Sequence, residues 1–458
     1  MTIDRNEHCD ARGVERSGAL SAVAICLRGI GARFPSASKG LLSIFDQAIV
    51  SGTSFLTAAI IGRTTSPDEL GLYYLVLSIV LVVSGIQDNV ISAPYIVYSK
   101  RRQGRELAEF AGSLWFHHLV MIVITVVALS ALIVILSATG LTKITPGLWA
   151  LVGAAPLLLL RQGIRRFAFA GLHVRSAIAL DAVVAVAQLG GLFLLGYFGR
   201  LSLFGIYAVM GGACGLACWG WYLLDRPRVR FVRERFMPDW RHNWAFGKWA
   251  LRSYLVGNTT PQLMLWIVSL TVGAAATGVL GACSNLIGMI YVILCGVDNV
   301  LTPQAAHDFA TGGVKGLRRT LSLAAAFLGL TLGGFCLLVL LTGDWLVVLA
   351  FGAHYQGTGA ILVTLAVSAL MSGLGIVAGN GLWAINQPRS NFVADVCCMS
   401  VTLIAAAFLI VPFGALGAAL ATLAGASTAA VVRGITLARY LEGGDLESNV
   451  AANSAFSS

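Results

Sequence analysis

Long apolar runs recur along almost the whole chain, and they limit the possible folds more than any other feature. They begin near residue 39 and continue almost to the C-terminus of the 458-residue sequence. A helix needs about 20 apolar residues to cross a hydrocarbon core of about 30 Å, where its backbone must satisfy its own hydrogen bonds. With 57% apolar and only 11% charged residues, the chain is unlike a soluble domain. The sequence therefore predicts an all-α integral membrane protein.

Polar breaks divide these runs into about 12 predicted transmembrane helices. The first six lie near residues 39–62, 71–98, 113–138, 148–170, 178–198 and 203–224, and the second six lie near 244–272, 278–304, 320–342, 359–385, 391–411 and 415–438. Lys and Arg concentrate in cytoplasmic loops. If the N-terminus is cytoplasmic, every basic residue except Arg63, Lys143 and Arg200 falls on that side. The charges therefore predict that both termini are cytoplasmic.

An internal repeat relates the two sets of six helices. The segment DNVISAP at 88–94 returns as DNVLTP at 298–303. An Arg-Ser pair precedes Asp181, and a second Arg-Ser pair precedes Asp395. The distance along the chain between these two copies is nearly the same as that between the two DNV segments. Each set contains an even number of helices, so both sets start on the same side of the membrane. The sequence therefore predicts two parallel six-helix lobes, an arrangement in which transporters place their substrate path between the lobes.

The polar segments complete the predicted organisation. It comprises a cytoplasmic or interfacial tail at 1–38, an N-lobe at 39–224, a basic cytoplasmic linker at 225–243, a C-lobe at 244–440 and a disordered tail at 441–458. A cleaved signal peptide is the competing interpretation of the N-terminal tail, but its apolar stretch is short and far from the start. The linker interleaves arginines with aromatic residues, which is typical of contact with lipid headgroups between membrane helices. We therefore expect membrane lipids, and no nucleic acid, as its partners.

Charged side chains inside the predicted helices are costly, and they are functional candidates by default. We single out Asp46, Asp88, Asp181, Arg252, Asp298 and Asp395. The separation of Asp46 and Arg252 is close to the repeat offset, and the two carry opposite charges. We therefore expect an ion pair between them across a central cleft. Asp181 and Asp395 follow helix starts, where a carboxylate stabilises the positive end of the helix dipole, so we expect these two to cap their helices.

The sequence lacks the features of an enzyme. It has no G-x-x-x-x-G-K-[ST] phosphate loop, so we expect no ATP hydrolysis. Its predicted outer loops are too short to gather catalytic groups. Its nine cysteines have no accompanying ligands at metal-site spacing, and no cofactor is expected. The sequence predicts a transporter, driven by an ion gradient, the membrane potential or the gradient of its own substrate.

Three short segments occur in a fixed order between residues 40 and 440. The first comprises Asp46-Gln47, the small-residue stretch at 51–56 and PDELG at 67–71 before Tyr73. The second comprises Gly247-Lys248-Trp249 and Ala276-Thr277-Gly278. The third is FGAHY at 351–355. With the twelve spans and the basic linker, they resemble the polysaccharide transporters of the multidrug/oligosaccharidyl-lipid/polysaccharide exporter superfamily. One departure is the stretch at 64–66, where the family usually has Leu-Gly before the proline.

The resemblance implies a flippase of the bacterial inner membrane. Its substrate would be an undecaprenyl-diphosphate-linked oligosaccharide, moved to the outer leaflet by alternating access for exopolysaccharide, capsule or lipopolysaccharide O-antigen synthesis. A polysaccharide polymerase and a chain-length regulator would be its partners. The residues expected to meet the diphosphate are Arg252, Lys248, Arg161, Arg165 and Arg166. The residues expected to form ion pairs or to bind a coupling proton or sodium ion are Asp46, Asp88 and Asp298.

Two other functions are compatible with the same sequence. An ion-coupled multidrug or cation antiporter of the same superfamily would use the intramembrane carboxylates for its drug and its coupling ion, although Arg252 argues against a cationic substrate. A scaffold for glycan-assembly enzymes would use the charges only to hold helices together. The bias of the charges toward the cytoplasmic side and the two-lobe repeat favour transport.

Overall fold

A computed structural model describes residues 35–138, 144–171, 173–224 and 229–456, and these ranges are almost entirely helical, without a strand. The first half contains α1 (Pro35–Thr64), α2 (Pro67–Gln87), α3 (Ala93–Tyr98), α4 (Gly104–Ala138), α5 (Thr145–Ala170), α6 (Val174–Tyr197) and α7 (Leu203–Leu224). The second half contains α8 (Arg233–Asn258), α9 (Thr260–Thr271), α10 (Ala274–Phe351), α11 (Gly359–Ala384) and α12 (Pro388–Phe456). This confirms the predicted all-α membrane architecture.

The described helices can be matched to the predicted crossings. Nine of them are long and apolar enough to span a membrane. Two of the nine, α10 and α12, bend at Gly313 and Gly414, whose φ angles of 59° and 58° suit glycine, so each has two arms. Helix α8 ends before Thr259 because Pro261, near the start of α9, cannot donate the next helical hydrogen bond. Twelve crossings are compatible with these elements, and the exact number stays a prediction.

The predicted repeat reappears in the positions of the helices. Helix α5 begins at Thr145 and α11 begins at Gly359, and each contains 26 residues. The next helices in the two halves, α6 and α12, begin at Val174 and Pro388. Both pairs of starting residues have the same sequence separation as Asp181 and Asp395, and we call this separation the helix offset. Corresponding positions on these helices can therefore be compared directly between the halves.

The hydrophobic cores show how the two halves are joined. At the predicted outer end, Ala58 and Leu70 of the first half share a buried cluster with Val268, Leu280 and Phe351 of the second. At the cytoplasmic end each half has its own cluster. The first half's cluster includes Ile164, Leu180, Val184 and Cys214, and the second half's includes Leu294, Leu301, Leu317 and Leu437. The halves therefore share one core at the outer end. Toward the cytoplasm these two clusters are separate, and helix α8 of the second half packs on a further cluster of the first half that includes Val90 and Phe110.

Helices α2 and α10 cross very closely at the outer end. A Cβ atom added to Gly71 would lie 1.9 Å from the carbonyl oxygen of Ala274. A Cβ atom added to Gly278 would lie 2.0 Å from the carbonyl oxygen of Pro67. Only glycine allows two helix backbones to approach so closely, as at the small-residue interfaces of membrane helices. This crossing holds the two halves together at the outer end.

Arg63 is a second connection between the halves. Its Nε donates a hydrogen bond of 3.1 Å to the carbonyl oxygen of Ala350, and its Nη2 donates to that of Leu349. These carbonyls lie in the last turn of α10, where the helix itself provides no donors. The contact gives a structural reason for a basic residue on the predicted outer side.

The structure differs from the predicted domain boundaries at the linker. Residues 225–228 lie outside the described residues, but α8 runs continuously from Arg233 through the predicted boundary at residue 243. It packs against α4 of the first half, where the Nη1 atom of Arg235 donates to the carboxylate of Glu109 at 3.1 Å. The start of the second half is therefore attached to the first half.

The two predicted tails have different outcomes. The N-terminal tail at 1–38 lies outside the described residues as far as residue 34. The C-terminal segment at 441–458 is predicted to be disordered, but α12 continues to Phe456. A physical reason is that residues added to an existing helix need no new nucleus, so a polar segment can extend it even though it contains Gly, Ser and Asn.

Candidate functional site

A network of three arginines and three aspartates lies inside the first half. Helix α5 supplies Arg161, Arg165 and Arg166, and the carboxylates come from Asp46, Asp88 and Asp181. These six residues form the arginine–aspartate network. Residues four apart lie on one face of a helix, which places Arg161 and Arg165 side by side toward α6. The network joins α1, α5, α6 and the segment that follows α2, near the predicted cytoplasmic end.

Arg165 is the centre of the network because it binds two carboxylates. Its Nε donates to Asp181 at 2.7 Å and its Nη2 donates to Asp46 at 2.5 Å. Arg161 binds the other oxygen of Asp181 through Nε at 3.1 Å and Nη2 at 2.5 Å. The side chains of Asp46 and Asp181 are fully buried. Buried carboxylates require such paired, hydrogen-bonded cations, so these arginines stabilise the interior of the first half.

Arg166 forms the more accessible part of the network. Its Nε and Nη2 donate to the two carboxylate oxygens of Asp88 at 3.1 and 2.7 Å, and Gln162 donates to the same carboxylate at 2.9 Å. Asp88 begins the π-helical segment Asp88–Ser92, which joins α2 to α3. Pro94 in α3 has no N–H to donate back to this segment, which disturbs the regular helical hydrogen bonding there. The side chain of Arg166 is 38% exposed. It is therefore oriented by a carboxylate while part of it stays accessible.

The network has donors left over for an anion. The bonds described above use the Nε and Nη2 atoms of the three arginines, and within the described ranges no protein acceptor is assigned to their Nη1 atoms. An Arg side chain has five N–H donors in a fixed plane, a geometry that suits phosphate oxygens. The three positive and three negative charges balance, so the network offers oriented donors with no excess charge.

The predicted ion pair between Asp46 and Arg252 is wrong in this structure. The carboxylate of Asp46 pairs with Arg165, which α5 brings next to it. Arg252 is exposed on α8, and its guanidinium carbon lies 4.6 Å from the ring centre of Trp249. Lys248 is half-buried, and its ammonium nitrogen lies 5.8 Å from the same ring. The sequence offset between the halves is misleading here because helix α8 packs on the first half.

The predicted capping role of Asp181 and Asp395 is also wrong. Both lie well inside their helices, which begin at Val174 and Pro388. Asp181 binds two arginines, and Asp395 accepts a hydrogen bond of 2.5 Å from Nη2 of Arg433. Their side chains meet cations of neighbouring helices and not the backbone N–H groups at the start of their own.

A cavity of about 630 Å³ occupies the corresponding region of the second half. Its lining comes from α10, α11 and both arms of α12, and its polar members are Asp298, Thr302, Asn380, Asn391, Asp395 and Arg433. Asn380 donates to Asp298 at 2.6 Å, and Arg433 donates through Nε to Asn391 at 3.2 Å. Asp298, predicted from the sequence, therefore lies in a different site from Asp46 and Asp88.

Several residues of the two sites were missed by sequence reasoning. Gln162, Asn380 and Asn391 are uncharged, so a search for charges inside the spans passes over them. Arg433 is charged and falls within the predicted span at 415–438, but its position near the helix end resembles that of an ordinary interfacial arginine. Repeat alignment could have found Asn380, because it lies one helix offset after Arg166.

Comparison with solved structures shows the fold. An inward-facing multidrug resistance MATE transporter of the MOP superfamily matches with a TM-score of 0.73 and 12% identity, over 87% of this chain and 95% of that one. The lipid II flippase MurJ in an inward closed conformation matches with a TM-score of 0.65 and 14% identity, over 88% and 87%. An outward-facing MATE structure gives 0.61 and 13%, over 88% and 96%.

Comparison at the sequence level is more limited. No protein-family model matches the chain. A curated relative from the archaeon Haloferax volcanii, the probable low-salt glycan biosynthesis flippase Agl15, is 21% identical over 260 residues, which are 55% of this chain and 52% of the relative. The match thus spans about half the length of that protein.

Proposed function

We propose that this chain, a multi-pass membrane protein with the fold of MOP-superfamily transporters, is a flippase for a lipid-linked oligosaccharide. The substrate would be a polyprenyl diphosphate carrying a glycan, moved from the inner to the outer leaflet. The relative from Haloferax volcanii supports a glycan lipid as substrate, and the MurJ fold supports transport of a lipid. The proposed mechanism is alternating access between the two halves, with the described conformation closed at the outer end.

The observation that carries this proposal is the arginine–aspartate network. A diphosphate entering from the cytoplasmic leaflet needs donors that replace its water, since an unpaired charge in a low-dielectric interior is very costly. Arg166 is held by Asp88 and is still 38% exposed, so it can offer Nη1 without losing its orientation. Charge-assisted hydrogen bonds from arginine are strong and directional. We assign Arg166 as the first contact of the diphosphate, with Arg161 and Arg165 supporting it.

Replacing Arg166 should weaken substrate binding without unfolding the protein. In Arg166→Ala the carboxylate of Asp88 keeps its bond from Gln162 and is partly exposed, so the fold should persist. Loss of charge-assisted hydrogen bonds of about 1.5–3 kcal/mol predicts at least about a tenfold weaker affinity for undecaprenyl diphosphate. Binding to purified protein in nanodiscs, followed by microscale thermophoresis, measures this. Arg166→Lys should give an intermediate affinity, because it keeps the charge but not the planar fork.

The matched control is Arg200→Ala, which removes an exposed arginine on the predicted outer side. It should bind the diphosphate lipid like the wild type. Equal affinity in Arg166→Ala and Arg200→Ala would show that the network does not meet the diphosphate.

An ion-coupled antiporter is the second candidate, and Asp46 favours it. Its Oδ2 atom binds Arg165, but its buried Oδ1 atom has no hydrogen-bond partner within the described structure. A buried carboxylate oxygen without a donor is a place where a proton or a sodium ion would be stabilised. The inward-facing MATE structure with this fold is a multidrug resistance transporter. Coupling at Asp46 is compatible with either substrate.

Asp46→Asn tests coupling directly. The amide cannot carry the negative charge that a coupling cation needs, while Arg165 stays bound to Asp181, so the fold should persist. We expect transport in proteoliposomes to lose its acceleration by an imposed proton or sodium gradient and to retain the rate without a gradient. The control is wild-type protein in proteoliposomes with an ionophore that collapses the gradient. Its transport rate should equal the rate of Asp46→Asn. Full acceleration in Asp46→Asn would exclude Asp46 as the coupling site.

The remaining assignments are part of the same proposal. A polysaccharide polymerase and a chain-length regulator are the partners expected of such a flippase, and the product would be a surface glycan. The predicted bacterial inner membrane stays a prediction, since the curated relative comes from an archaeon.

A further inference from the structure

The cavity of the second half differs in shape from its counterpart because two arginines are replaced by glycines. Helices α5 and α11 correspond at the helix offset, so Arg161 and Arg165 match Gly375 and Gly379. In the first half the arginine side chains fill the space between α5 and α6. In the second half the glycines leave that space open, and the cavity of about 630 Å³ lies there.

A single arginine from a different helix enters this space. Arg433, on the second arm of α12, passes over the two glycines; its Cδ lies 3.6 Å from where a Cβ on Gly379 would be. It binds Asp395, the counterpart of Asp181. Asn380, the counterpart of Arg166, binds Asp298 as Arg166 binds Asp88. The pairing scheme of the first half is thus kept with fewer positive charges.

The charges of the cavity do not suit a diphosphate. Its described lining contains two carboxylates, Asp298 and Asp395, and one cation, Arg433, so its formal net charge is −1. The network of the first half has three cations for three carboxylates. A diphosphate would therefore be repelled from the cavity relative to the network. A neutral or positively charged polar group would be accepted.

The cavity combines groups that fit a sugar. Carboxylate oxygens accept from hydroxyl groups, and the amide of Asn391, which donates one N–H to the carbonyl oxygen of Gly379, has a second N–H for a ligand. Trp383 and Phe392 also line the cavity, and the side chain of Trp383 is 57% exposed. An aromatic face offers a flat apolar surface against which the C–H groups of a sugar ring can pack. The volume lies within the range of about 300–1,000 Å³ that is usual for small-molecule pockets.

We propose that this cavity of the second half is a subsite for the sugar next to the diphosphate, and that it selects neutral or amino sugars over acidic ones. The inference rests on the proposed flippase function and deepens it. The two halves divide the headgroup between them: the arginine–aspartate network meets the diphosphate, and the cavity with Trp383 and Asn391 meets the sugar. Its negative charge makes a uronic acid unfavourable.

The test compares two lipids on the purified protein in nanodiscs. One is undecaprenyl diphosphate, and the other is the same lipid carrying N-acetylglucosamine. In Trp383→Ala and Asn391→Ala, we expect affinity for the sugar-bearing lipid to fall about tenfold, the effect of removing a principal contact. Affinity for the bare lipid should stay at the wild-type value. Trp149→Ala is the matched control, because Trp149 is also 57% exposed but lies on α5, away from the cavity lining.

Each outcome separates the inference from the proposed function. If both lipids lose affinity equally in Trp383→Ala, or if neither does, the cavity is not a sugar subsite, and Trp383 is an interfacial anchor. If the wild type binds neither lipid, the flippase proposal itself fails, and the inference fails with it. Folding of every variant is checked by its thermal unfolding midpoint.

A second arm tests the charge selectivity. The wild type should bind undecaprenyl diphosphate carrying glucuronic acid more weakly than the N-acetylglucosamine lipid. Asp298→Asn brings the net charge of the cavity to zero and leaves a side chain that can still bind Asn380, so the difference between the two lipids should shrink. An unchanged difference in Asp298→Asn would contradict selection by the cavity charge.

Discussion

Arg165→Ala is expected to destabilise the protein by about 3–5 kcal/mol, the cost of leaving the buried carboxylate of Asp46 without its cation. Arg165 is the only cation that bonds to Asp46 within the described residues, and it shares Asp181 with Arg161. Both carboxylates are fully buried, so water cannot replace the lost donor. The free energy of unfolding, measured by denaturation in mixed detergent micelles, provides the value.

Two further variants make this prediction specific. In the double variant Arg165→Ala with Asp46→Asn, the orphaned charge is removed and Asp181 keeps Arg161, so a large part of the stability should return. Arg105→Ala removes an arginine that is 74% exposed and bound to Glu109 at 2.7 Å, so its effect on stability should be small. Similar losses in Arg165→Ala and Arg105→Ala would mean that the network is not stabilised by its buried pairs.

Gly278→Leu is expected to open the outer end of the protein. The new Cβ would lie 2.0 Å from the carbonyl oxygen of Pro67, a backbone atom that no side-chain rotation can move. The overpacking should exceed the usual cost of about 1–3 kcal/mol and force α2 and α10 apart. Cys283 lies on the same helix and is fully buried at the outer end. A membrane-impermeant maleimide should therefore label Cys283 in the variant but not in wild type, with the other cysteines replaced in both.

The matched control is Gly288→Leu on the same helix. Outside the local backbone of its own helix, no heavy atom of the described residues lies within 4 Å of a Cβ added to Gly288, so this variant should leave Cys283 unlabelled. If Gly278→Leu leaves Cys283 as unreactive as Gly288→Leu does, the crossing of α2 and α10 does not hold the outer end closed.

Much of the architecture could be predicted because the membrane leaves few alternatives. Apolar run length fixes helices, and the repeat at 88–94 and 298–303 fixes which helices correspond. The kinks were harder to predict, because glycine at Gly313 or Gly414 permits a bend without requiring one. Helical order beyond residue 441 could not be inferred from a polar composition.

Some residues of the arginine–aspartate network could be predicted individually, but their pairing could not. The sequence identifies Asp46 as a candidate because charges in apolar runs are rare, whereas Arg165 is named only through the family resemblance. Which cation pairs with Asp46 depends on how α1, α5 and α8 pack together. The repeat offset alone does not predict this packing. The offset indicates Arg252, whereas packing supplies Arg165. The cavity of the second half exists because Gly375 and Gly379 have no side chains to fill it. A search for charged residues in the sequence does not detect such a space.

The most direct measurement of the central claim is the translocation of a glycan lipid by the wild-type protein. Proteoliposomes carry undecaprenyl diphosphate with a short glycan, and a lectin outside follows its exposure on the outer leaflet, with protein-free liposomes as the blank. A flippase should expose the glycan far faster than the blank. If the glycan lipid stays at the blank rate while a cationic dye is exchanged for protons or sodium, the flippase account is contradicted and the antiporter account replaces it.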